Sequence, residues 1–462
     1  MGNKLRFKLP DALVIMSAIL LIMTLLTWIV PPGSFDRTEV NGRIVVQPGT
    51  YSSDDFSGQG LFDLLLSPVK GFMSAAQIIA FVLIVGGAFK IIQKTGAFQT
   101  GLENMVRFAE ANPTKKKYII PLLTLFFSLA GATFGMSEEV LVFVLITIPM
   151  ARSLGYDTLV GISVPFLGAG AGFAGAFSNP FTIGIAQAIA DVPLFSGIYY
   201  RTLVWFFMTL TTILFLMRYA RKIEKSPHEN MMISKRSPVS HPESPFTFRQ
   251  KWVLAVLFSG IVMLVIGATQ LNWYINEISG LFLAMGLISA MICKISPNDT
   301  AMEFIEGAKD MLTAAMVIAF SRGILILAED GKIIDTMLFY TSDLINDLPR
   351  VVAVQGMFFF QTLLNFFVPS GSGQAALTMP IMAPLSDLVG ITRQTAVLSF
   401  QLGDGLSNMI IPTSGVTMGV LSIAKVPYQK WLKFALPLIL LLTIVGIIAL
   451  IPPTVLFYWG PI

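Results

Sequence analysis

The segment 118–152, YIIPLLTLFFSLAGATFGMSEEVLVFVLITIPMAR, contains two apolar runs that are each too short to cross a membrane comfortably. The runs are separated by FGMSEE at 134–139, which brings two adjacent glutamates into an apolar region. Three lysines at 115–117 precede the segment and Arg152 ends it, so both ends are predicted to lie in the cytoplasm. We therefore expect a re-entrant hairpin, whose tip is covered by protein or faces a water-filled cavity.

The composition predicts a polytopic membrane protein, because 54% of the 462 residues are hydrophobic and only 13% are charged. The single cysteine, Cys293, and the two histidines, His228 and His241, exclude a disulfide framework and a transition-metal cluster. Positive residues lie mainly in loops, where they orient the chain in the membrane, and nucleic-acid binding is not expected. Apolar runs near the about 20 residues that cross a bilayer lie at 11–30, 75–92, 199–217, 252–270, 277–293, 311–328 and 433–451.

The distribution of basic residues predicts a cytoplasmic N-terminus and an external C-terminus. Segment 32–60 has few positive residues and is predicted to be external. Segment 218–251 has eight Lys and Arg residues against three Glu, together with several prolines, and is predicted to be a flexible cytoplasmic linker. The linker divides the chain into an N-terminal half, 1–217, and a C-terminal half, 252–462.

The two halves share an internal repeat with a constant offset of 235 residues. A related motif, ADVP at 190–193 and AKVP at 424–427, needs a shift of only one residue. The residue pairs at the constant offset are Gly96 and Gly331, Ser137 and Ser372, Pro149 and Pro384, Gly155 and Gly390, Gly168 and Gly403, Gly170 and Gly405, and Gly184 and Gly419.

Equivalent loops of the two copies differ in charge. Loop 94–117 is rich in Lys and Arg, whereas loop 329–350 has Lys332 and Arg350 among five acidic residues. By the positive-inside rule the first loop is cytoplasmic and the second external, so the halves have opposite topology. Inverted repeats are typical of secondary transporters, with the substrate site near the middle of the membrane.

The second repeat predicts the same elements as the first. Segment 351–389 is a hairpin with its hinge at PSGSGQ, 369–374, and should enter the membrane from the outside. Each hairpin is followed by a helix broken by glycines, polar residues and a proline: 157–190 in the first copy and 393–424 in the second. The fold class is therefore an all-α membrane protein with two inverted repeats, re-entrant hairpins and broken helices.

The hairpin tips and helix breaks should meet at mid-depth, where helix N-termini attract carboxylates and free oxygens suit a small cation. A carboxylate in the apolar centre costs about 2.5–3.5 kcal/mol, so acids there should face a cavity, a partner or a cationic ligand. The predicted substrate-binding residues are Ser137, Glu138, Glu139, Ser178, Asn179, Ser370, Ser372, Gln374, Asp404, Asn408, Thr413 and Ser414.

Several of these residues have a structural alternative. Glu138 or Glu139 could cap the second helix of the first hairpin, with Ser137 at its start. Asp404 could simply bind neighbouring backbone and hold the helix break. Arg322 is either the internal counter-ion of one of these acids or a group that binds a substrate carboxylate.

The paired hairpins, SNP at 178–180, PTSG at 412–415 and the N-terminal LPDALVIMSAILLIMTLLTWIVPPGSF resemble the YfcC family of bacterial membrane proteins, in the ion transporter superfamily. The resemblance covers nearly the whole chain. It implies an elevator-type carrier, usually a homodimer, whose transport domain contains the hairpins and broken helices and moves against a scaffold domain. Related sodium-coupled carriers of divalent anions use Ser-Asn-Thr motifs at such positions, whereas here two glutamates follow Ser137.

The family resemblance implies two substrate classes, basic amino acids exchanged for one another and four-carbon dicarboxylates. The acids favour a basic amino acid, as in arginine and ornithine exchange, because they repel an anion. The expected protein is a secondary transporter of the bacterial inner membrane, in contact with lipid and a small solute. A sodium- or proton-coupled dicarboxylate carrier is the alternative; a channel and an enzyme are the remaining classes, and no catalytic triad supports the latter. No metal cofactor is expected, although sodium could bind near Asn179, Ser137, Ser372 and Thr413.

Overall fold

The computed structural model describes most of the chain. The described residues are 12–40, 43–97, 100, 101, 104, 111, 117–225, 247–271, 273, 275–346 and 348–460. The histidines, Lys115 and Lys116, and segment 226–246 of the predicted linker lie outside them. The two ends of that linker are helical, because the helix Ile198–Lys225 continues into it and the helix Phe248–Gln270 begins within it.

The described part of the N-terminal half is mainly helical, and its helices begin and end close to the predicted breaks. Its elements are α1 (Ala12–Ile29), α2 (Leu61–Ser74), α3 (Ala76–Lys94), α4 (Ile119–Phe134), α5 (Val140–Ser153), α6 (Thr158–Ala174), a π-helical turn (Pro180–Gly184), α7 (Ile185–Ile189) and α8 (Ile198–Lys225).

Four short strands add to this helical architecture in the segment predicted to be external. They are β1 (Gly33–Ser34), β2 (Arg37–Val40), β3 (Arg43–Val46) and β4 (Ser52–Ser53), with β1 antiparallel to β4 and β2 antiparallel to β3. Asp335 of the C-terminal half accepts a hydrogen bond from the Phe35 amide and pairs with Arg37 at 2.9 Å. The strands therefore attach the first loop to the second half of the chain.

The described part of the C-terminal half is also mainly helical. Several of its helices start after a polar cap, as at Thr247, Ser296 and Thr392, whose side chains accept from helical amides. Its helices are α9 (Phe248–Gln270), α10 (Ile275–Cys293), α11 (Pro297–Asp310), α12 (Leu312–Asp330), α13 (Ile333–Asn346), α14 (Arg350–Leu364), α15 (Gly371–Leu388), α16 (Arg393–Ser407), α17 (Gly415–Ala424), α18 (Tyr428–Leu450) and α19 (Pro452–Val455).

Segment 119–153, here called hairpin 1, turns back on itself. Gly168 and Gly172 of α6 lie against Thr124 and Ser128 of α4, so these two helices run parallel. The Thr147 hydroxyl of α5 donates to the Gly161 carbonyl of α6 at 2.6 Å near their short connection, so α5 and α6 run antiparallel. Consequently α4 and α5 run in opposite directions.

Segment 350–388, here called hairpin 2, has the same geometry around α16. Gly403 of α16 lies against Gln361 of α14, and the Asn365 amide, one turn further on, donates to Ser407. Asp387 and Arg393 pair where α15 connects to α16. Gly371, at the other end of α15, approaches Asp404, so α15 is antiparallel to α16. A hairpin therefore flanks each broken helix.

Backbone conformation also recurs between the halves. Gly155 and Gly390, which are 235 residues apart, both have left-handed φ angles, +86° and +70°. Asp191 and Lys425, at the second position of ADVP and AKVP, have φ angles of 57° and 55°. Non-glycine residues seldom adopt this conformation, so the shared angles support the internal repeat.

Five described helices are long and apolar enough to cross a membrane: Ala76–Lys94, Ile198–Glu224, Ile275–Cys293, Leu312–Asp330 and Tyr428–Val455. The predicted spans at 11–30 and 252–270 coincide with α1 and α9. Glycines let other helices approach closely, as where Gly71 of α2 meets the Ala319 carbonyl of α12 and Gly86 of α3 meets Gly307 of α11. Helices α2, α3, α11 and α12 therefore form one closely packed group.

Candidate functional site

The tip of hairpin 1, residues 135–139 (tip 1), starts at a left-handed glycine. Gly135 has a φ of +73°, and a Cβ there would lie 2.6 Å from the Asn179 side chain. The chain then turns so that Glu139 Oε2 accepts from the Ser137 amide at 3.0 Å. No side chain caps α5, so the capping alternative for this helix is wrong. Tip 1 presents carboxylates without using them as helix caps.

The tip of hairpin 2, residues 365–373 (tip 2), contains no acid. The Ser370 hydroxyl caps α15 by accepting from the Gly373 amide at 3.4 Å. Gly371 lies so close to the π-helical turn that a Cβ there would be 2.5 Å from Thr182 Cγ2. The N-terminus of α15 is thus brought against the broken helix of the other half.

The two helix breaks cross each other. A Cβ on Gly405 would lie 2.5 Å from the Cα of Ala174, at the C-terminal end of α6. The polar residues at the breaks restart the helices: Asn179 Oδ1 accepts from the Phe181 amide at 2.9 Å, and Ser414 Oγ accepts from the Thr417 amide at 3.4 Å. Both tips and both breaks therefore lie in one region, as the sequence predicts.

A cavity of about 310 Å³ opens between these elements. Its volume is at the lower end of the about 300–1,000 Å³ typical of small-molecule sites. Trp273 and Phe173 contribute aromatic walls, and Ser74 and Gln77 come from the α2–α3 junction. The predicted site residues that line it are Ser137, Glu138, Glu139, Ser370, Ser372, Asn408, Ser414 and Arg322.

The remaining predicted residues do not line this cavity. Asn179 packs behind tip 1, and the amide of the neighbouring Ser178 donates to the Ala132 carbonyl. Gln374 donates to Gln361, and the Thr413 carbonyl accepts from Ser321. Asp404 lies behind tip 2, with Oδ1 accepting from the Asn408 side chain. These residues hold the walls of the cavity, and their sodium or substrate roles stay predictions.

The acids of the region have no cationic partner among the described residues. Glu139 is only 7% exposed and Asp404 is fully buried, yet no Lys or Arg nitrogen lies within 4.0 Å of either carboxylate or of Glu138. Arg322 lies in the cavity wall and donates through Nε to Ser74 at 3.1 Å, so its predicted pairing with an acid is not formed here. The negative charges of Glu138 and Glu139 and the positive charge of Arg322 are therefore available to a ligand in the cavity.

Several polar residues in this region are not among the predicted site residues. Thr182, beside tip 2, and Asn365, the first residue of tip 2, are fully or almost fully buried, and each has an oxygen with no hydrogen-bond partner among the described residues. Gln361 accepts a hydrogen bond from Gln374, and Ser74 accepts one from Arg322. Asn365 occupies the last turn before the predicted hinge, a polar residue in an apolar run, which is the signal that could have identified it. No group of three His, Cys, Asp or Glu side chains suited to a metal occurs in the described ranges.

The sequence comparisons agree with the predicted family. Residues 9–454 match the family model DcuC, described as a C4-dicarboxylate anaerobic carrier. The chain is 36% identical over 497 residues to the Escherichia coli (strain K12) protein named "Putative basic amino acid antiporter YfcC", covering 98% of each chain. It is 28% identical over 500 residues to an uncharacterized protein of Haemophilus influenzae, covering 97% of each.

Two solved transporter structures match this chain over almost its whole length, but with low structural similarity and low sequence identity. MtrF of Neisseria gonorrhoeae, described among antimetabolite efflux pumps, is 16% identical with a TM-score of 0.42, covering 100% of this chain and 98% of MtrF. The YdaH transporter of Alcanivorax borkumensis is 15% identical with a TM-score of 0.42, covering 98% of this chain and 100% of YdaH. Likeness of this size supports no inference about the site. The family match and the E. coli relative show that the chain belongs to the DcuC family of membrane transporters, as a YfcC-like member, and is not an enzyme.

Proposed function

We propose that this transporter exchanges basic amino acids across the bacterial inner membrane, and that the cavity between tips 1 and 2 is the binding site. The observation that supports this best is the pair of glutamates on one wall of the cavity and the acid-free N-terminus of α15 on another. A basic amino acid carries positive charge at its side chain and a zwitterionic head, with a carboxylate and an α-ammonium group, at its other end. Its two ends suit the two tips.

The cationic end of the substrate is assigned to Glu138 and Glu139. Two adjacent carboxylates in a low-dielectric cavity repel each other, so a guanidinium or ammonium between them relieves repulsion as well as forming ion pairs. A four-carbon dicarboxylate would add two further negative charges at this place. Electrostatic complementarity therefore favours the basic amino acid.

The carboxylate end is assigned to the opposite walls. The first amides of α15 and α17 have no partner within their helices, and Ser370, Gly371, Ser414 and Gly415 bring both helix N-termini to the cavity. Helix N-termini favour anions through these amides and the helix dipole. Arg322 on α12 offers a further cation, which fits the alternative that it binds a substrate carboxylate.

Alternating access is proposed to occur by an elevator movement in a homodimer, with the N-terminus cytoplasmic and the C-terminus external. The hairpins and broken helices form one packed body, and α2, α3, α11 and α12 form another. The two bodies meet where Gly415 and Gly419 lie against Ile318, through small and apolar side chains. A hairpin, a broken helix and left-handed residues recur in both halves, which supports an internal repeat, and the opposite charges of the equivalent loops support its inversion.

Four-carbon dicarboxylate transport is the second candidate, and the DcuC family match favours it. Arg322 and the two helix N-termini would bind both carboxylates in that case. Glu138 and Glu139 would then have to be protonated or turned away from the substrate, which makes this candidate the weaker one.

The test is uptake of labelled arginine, ornithine and succinate into proteoliposomes preloaded with each solute in turn. We expect arginine uptake that requires internal arginine or ornithine and is lost in Glu138→Gln and Glu139→Gln proteins. Glu306→Gln is the matched control, because Glu306 is exposed and pairs with Lys90 away from the cavity. Succinate uptake without arginine uptake would establish the second candidate instead.

A further inference from the structure

Only one of the two carboxylate oxygens of Asp404 has a hydrogen-bond partner among the described residues. Asp404 is fully buried, its Oδ1 accepts from Asn408 Nδ2 at 3.0 Å, and its Oδ2 has no hydrogen-bond partner among the described residues. No positively charged side chain of the described ranges lies within 4.0 Å. An unpaired carboxylate buried in a membrane domain is costly, so a cation, a proton or a water molecule bound at this oxygen would stabilise it.

Two more oxygens close to Asp404 also have no hydrogen-bond partner in the part of the chain that the structure describes. Asn365 Nδ2 donates to the Asp404 carbonyl at 3.0 Å and to Ser407 Oγ at 2.8 Å, which leaves Asn365 Oδ1 without a partner. A carbonyl can only accept, so the Asn365 nitrogen must face it and the amide cannot be reversed. Thr182 Oγ1, buried in the π-helical turn, also has no partner.

The backbone of tip 2 brings Thr182 and the Asp404 carboxylate together, and Asn365 joins them through its bond to the Asp404 carbonyl. A Cβ placed on Gly371 would lie 2.9 Å from Asp404 Oδ2 and 2.5 Å from Thr182 Cγ2. Gly371 is thus the point at which α15, α16 and the π-helical turn converge, and only a residue without a side chain leaves this space free. Unsatisfied buried polar atoms in a native structure commonly mark a bound ion or water.

We propose that Asp404, Thr182 and Asn365 bind a sodium ion beside Gly371. Carboxylate, hydroxyl and amide oxygens are the ligands preferred by hard cations, and one carboxylate balances one positive charge. This set differs from the earlier expectation of sodium near Asn179, Ser137, Ser372 and Thr413. It joins both halves of the chain, because Thr182 precedes the linker and the other two residues follow it.

The proposed sodium ion would affect substrate binding through tip 2. This coupling role rests on the proposed function, whereas the sodium site itself does not. Gly371 lines the substrate cavity on one side and touches Asp404 on the other. An ion held by Asp404 and Thr182 fixes tip 2 against α16 and the π-helical turn. The N-terminus of α15 is then held in the orientation that receives the substrate carboxylate.

Thermal unfolding of the purified full-length protein in detergent tests the site. Sodium chloride is titrated against choline chloride at constant ionic strength and at several pH values, with and without arginine. We expect a saturable, sodium-specific rise in Tm, because a ligand that binds only the folded state stabilises it. Asp404→Asn should abolish the rise, and Thr182→Val should raise the half-saturating sodium concentration about 10–100-fold, as loss of a group at a metal site does.

Two further variants keep the result interpretable. Gly371→Ala fills the space beside Oδ2 without removing a ligand and should also abolish the sodium response. Asp387→Asn is the control, because it makes the same chemical change at an exposed acid paired with Arg393 and should keep the wild-type response. This set remains informative even if Asp404→Asn fails to fold.

The proposal is overturned if sodium has no greater effect than choline on the wild-type protein, or if the sodium response survives in Asp404→Asn. A response to pH alone that disappears in Asp404→Asn would also overturn it, since Asp404 would then bind a proton. An arginine-dependent rise in Tm without a sodium-dependent one would reject only the ion site. A sodium-dependent rise without an arginine-dependent one would reject only the proposed substrate.

Discussion

Tips 1 and 2 occupy equivalent places in the two repeats, yet they differ in charge and in how their helices start. Ser137 and Ser372 align at the constant offset, but Glu138 and Glu139 in tip 1 correspond to Gly373 and Gln374 in the second copy. In tip 1 an acid turns back to an amide of the turn, whereas in tip 2 a neutral serine caps α15. The same backbone plan therefore yields one cation-attracting tip and one anion-attracting tip, which suits a substrate with both charges.

The strongest test of this difference is to give tip 1 the residues of tip 2. Glu138→Gly combined with Glu139→Gln removes both carboxylates and reproduces the residues at 373 and 374. We expect arginine transport to fall by about 30-fold or more, because losing one side of a desolvated charge pair costs about 2–5 kcal/mol. Initial uptake rates at several arginine concentrations, at matched protein levels, measure the loss. Unchanged arginine transport would mean that the difference between the tips does not select the substrate.

The tips also differ in backbone strain, which is the second point to test. Gly135 has a φ of +73° and lies against Asn179, whereas Gly371 has no such angle. Gly135→Ala should destabilise the protein by about 1–2 kcal/mol from the left-handed backbone alone, with a further cost from the contact with Asn179. Gly280→Ala is the control, because nothing lies within 4 Å of a Cβ there. Equal Tm values for these two variants would contradict the proposed constraint on tip 1.

The sequence predicts much of this comparison and misses the parts that depend on distant contacts. Both hinges, both breaks and the adjacent glutamates are local patterns, so chain order alone identifies them. Arg201 shows the limit: it is fully buried, donates to Gln394 at 3.0 Å and lies over the Trp459 ring. Its neighbours are almost 200 residues or more away along the chain, and no local pattern predicts that they converge.

Thr182 and Asn365 illustrate the same limit within the site. Thr182 is an ordinary polar residue of its segment and Asn365 is a polar residue in an apolar run, but only packing places both of them beside Asp404. Arg322 was predicted with two possible roles, and the structure places it in the cavity with Ser74 as its partner. The sequence thus identifies which groups are exceptional in a membrane, whereas the tertiary contacts decide which of them face each other.

A negative charge added to tip 2 would make the tips more alike, and we expect it to weaken substrate binding. Gly373→Glu places a carboxylate at the N-terminus of α15, where the substrate carboxylate is proposed to bind. We expect the KM for arginine exchange to rise about tenfold, corresponding to about 1.4 kcal/mol of like-charge repulsion. Gly373→Gln is the matched control for the added side chain. An equal rise in KM in both variants would assign the effect to size instead of charge.

The smallest expected difference concerns one serine from each tip, Ser370 and Ser137. Ser370 caps α15 through its hydroxyl, so Ser370→Ala should lower the free energy of unfolding by about 0.5–2 kcal/mol. Ser137→Ala should lower it by less, because no side chain among the described residues caps α5 and the Ser137 bond to Glu139 uses the backbone amide. Thermal unfolding of the two variants in the same detergent gives the comparison. A larger loss for Ser137→Ala would mean that its hydroxyl, and not the backbone turn, holds tip 1, and the distinction between a self-bonded acidic tip and a serine-capped neutral tip would have to be abandoned.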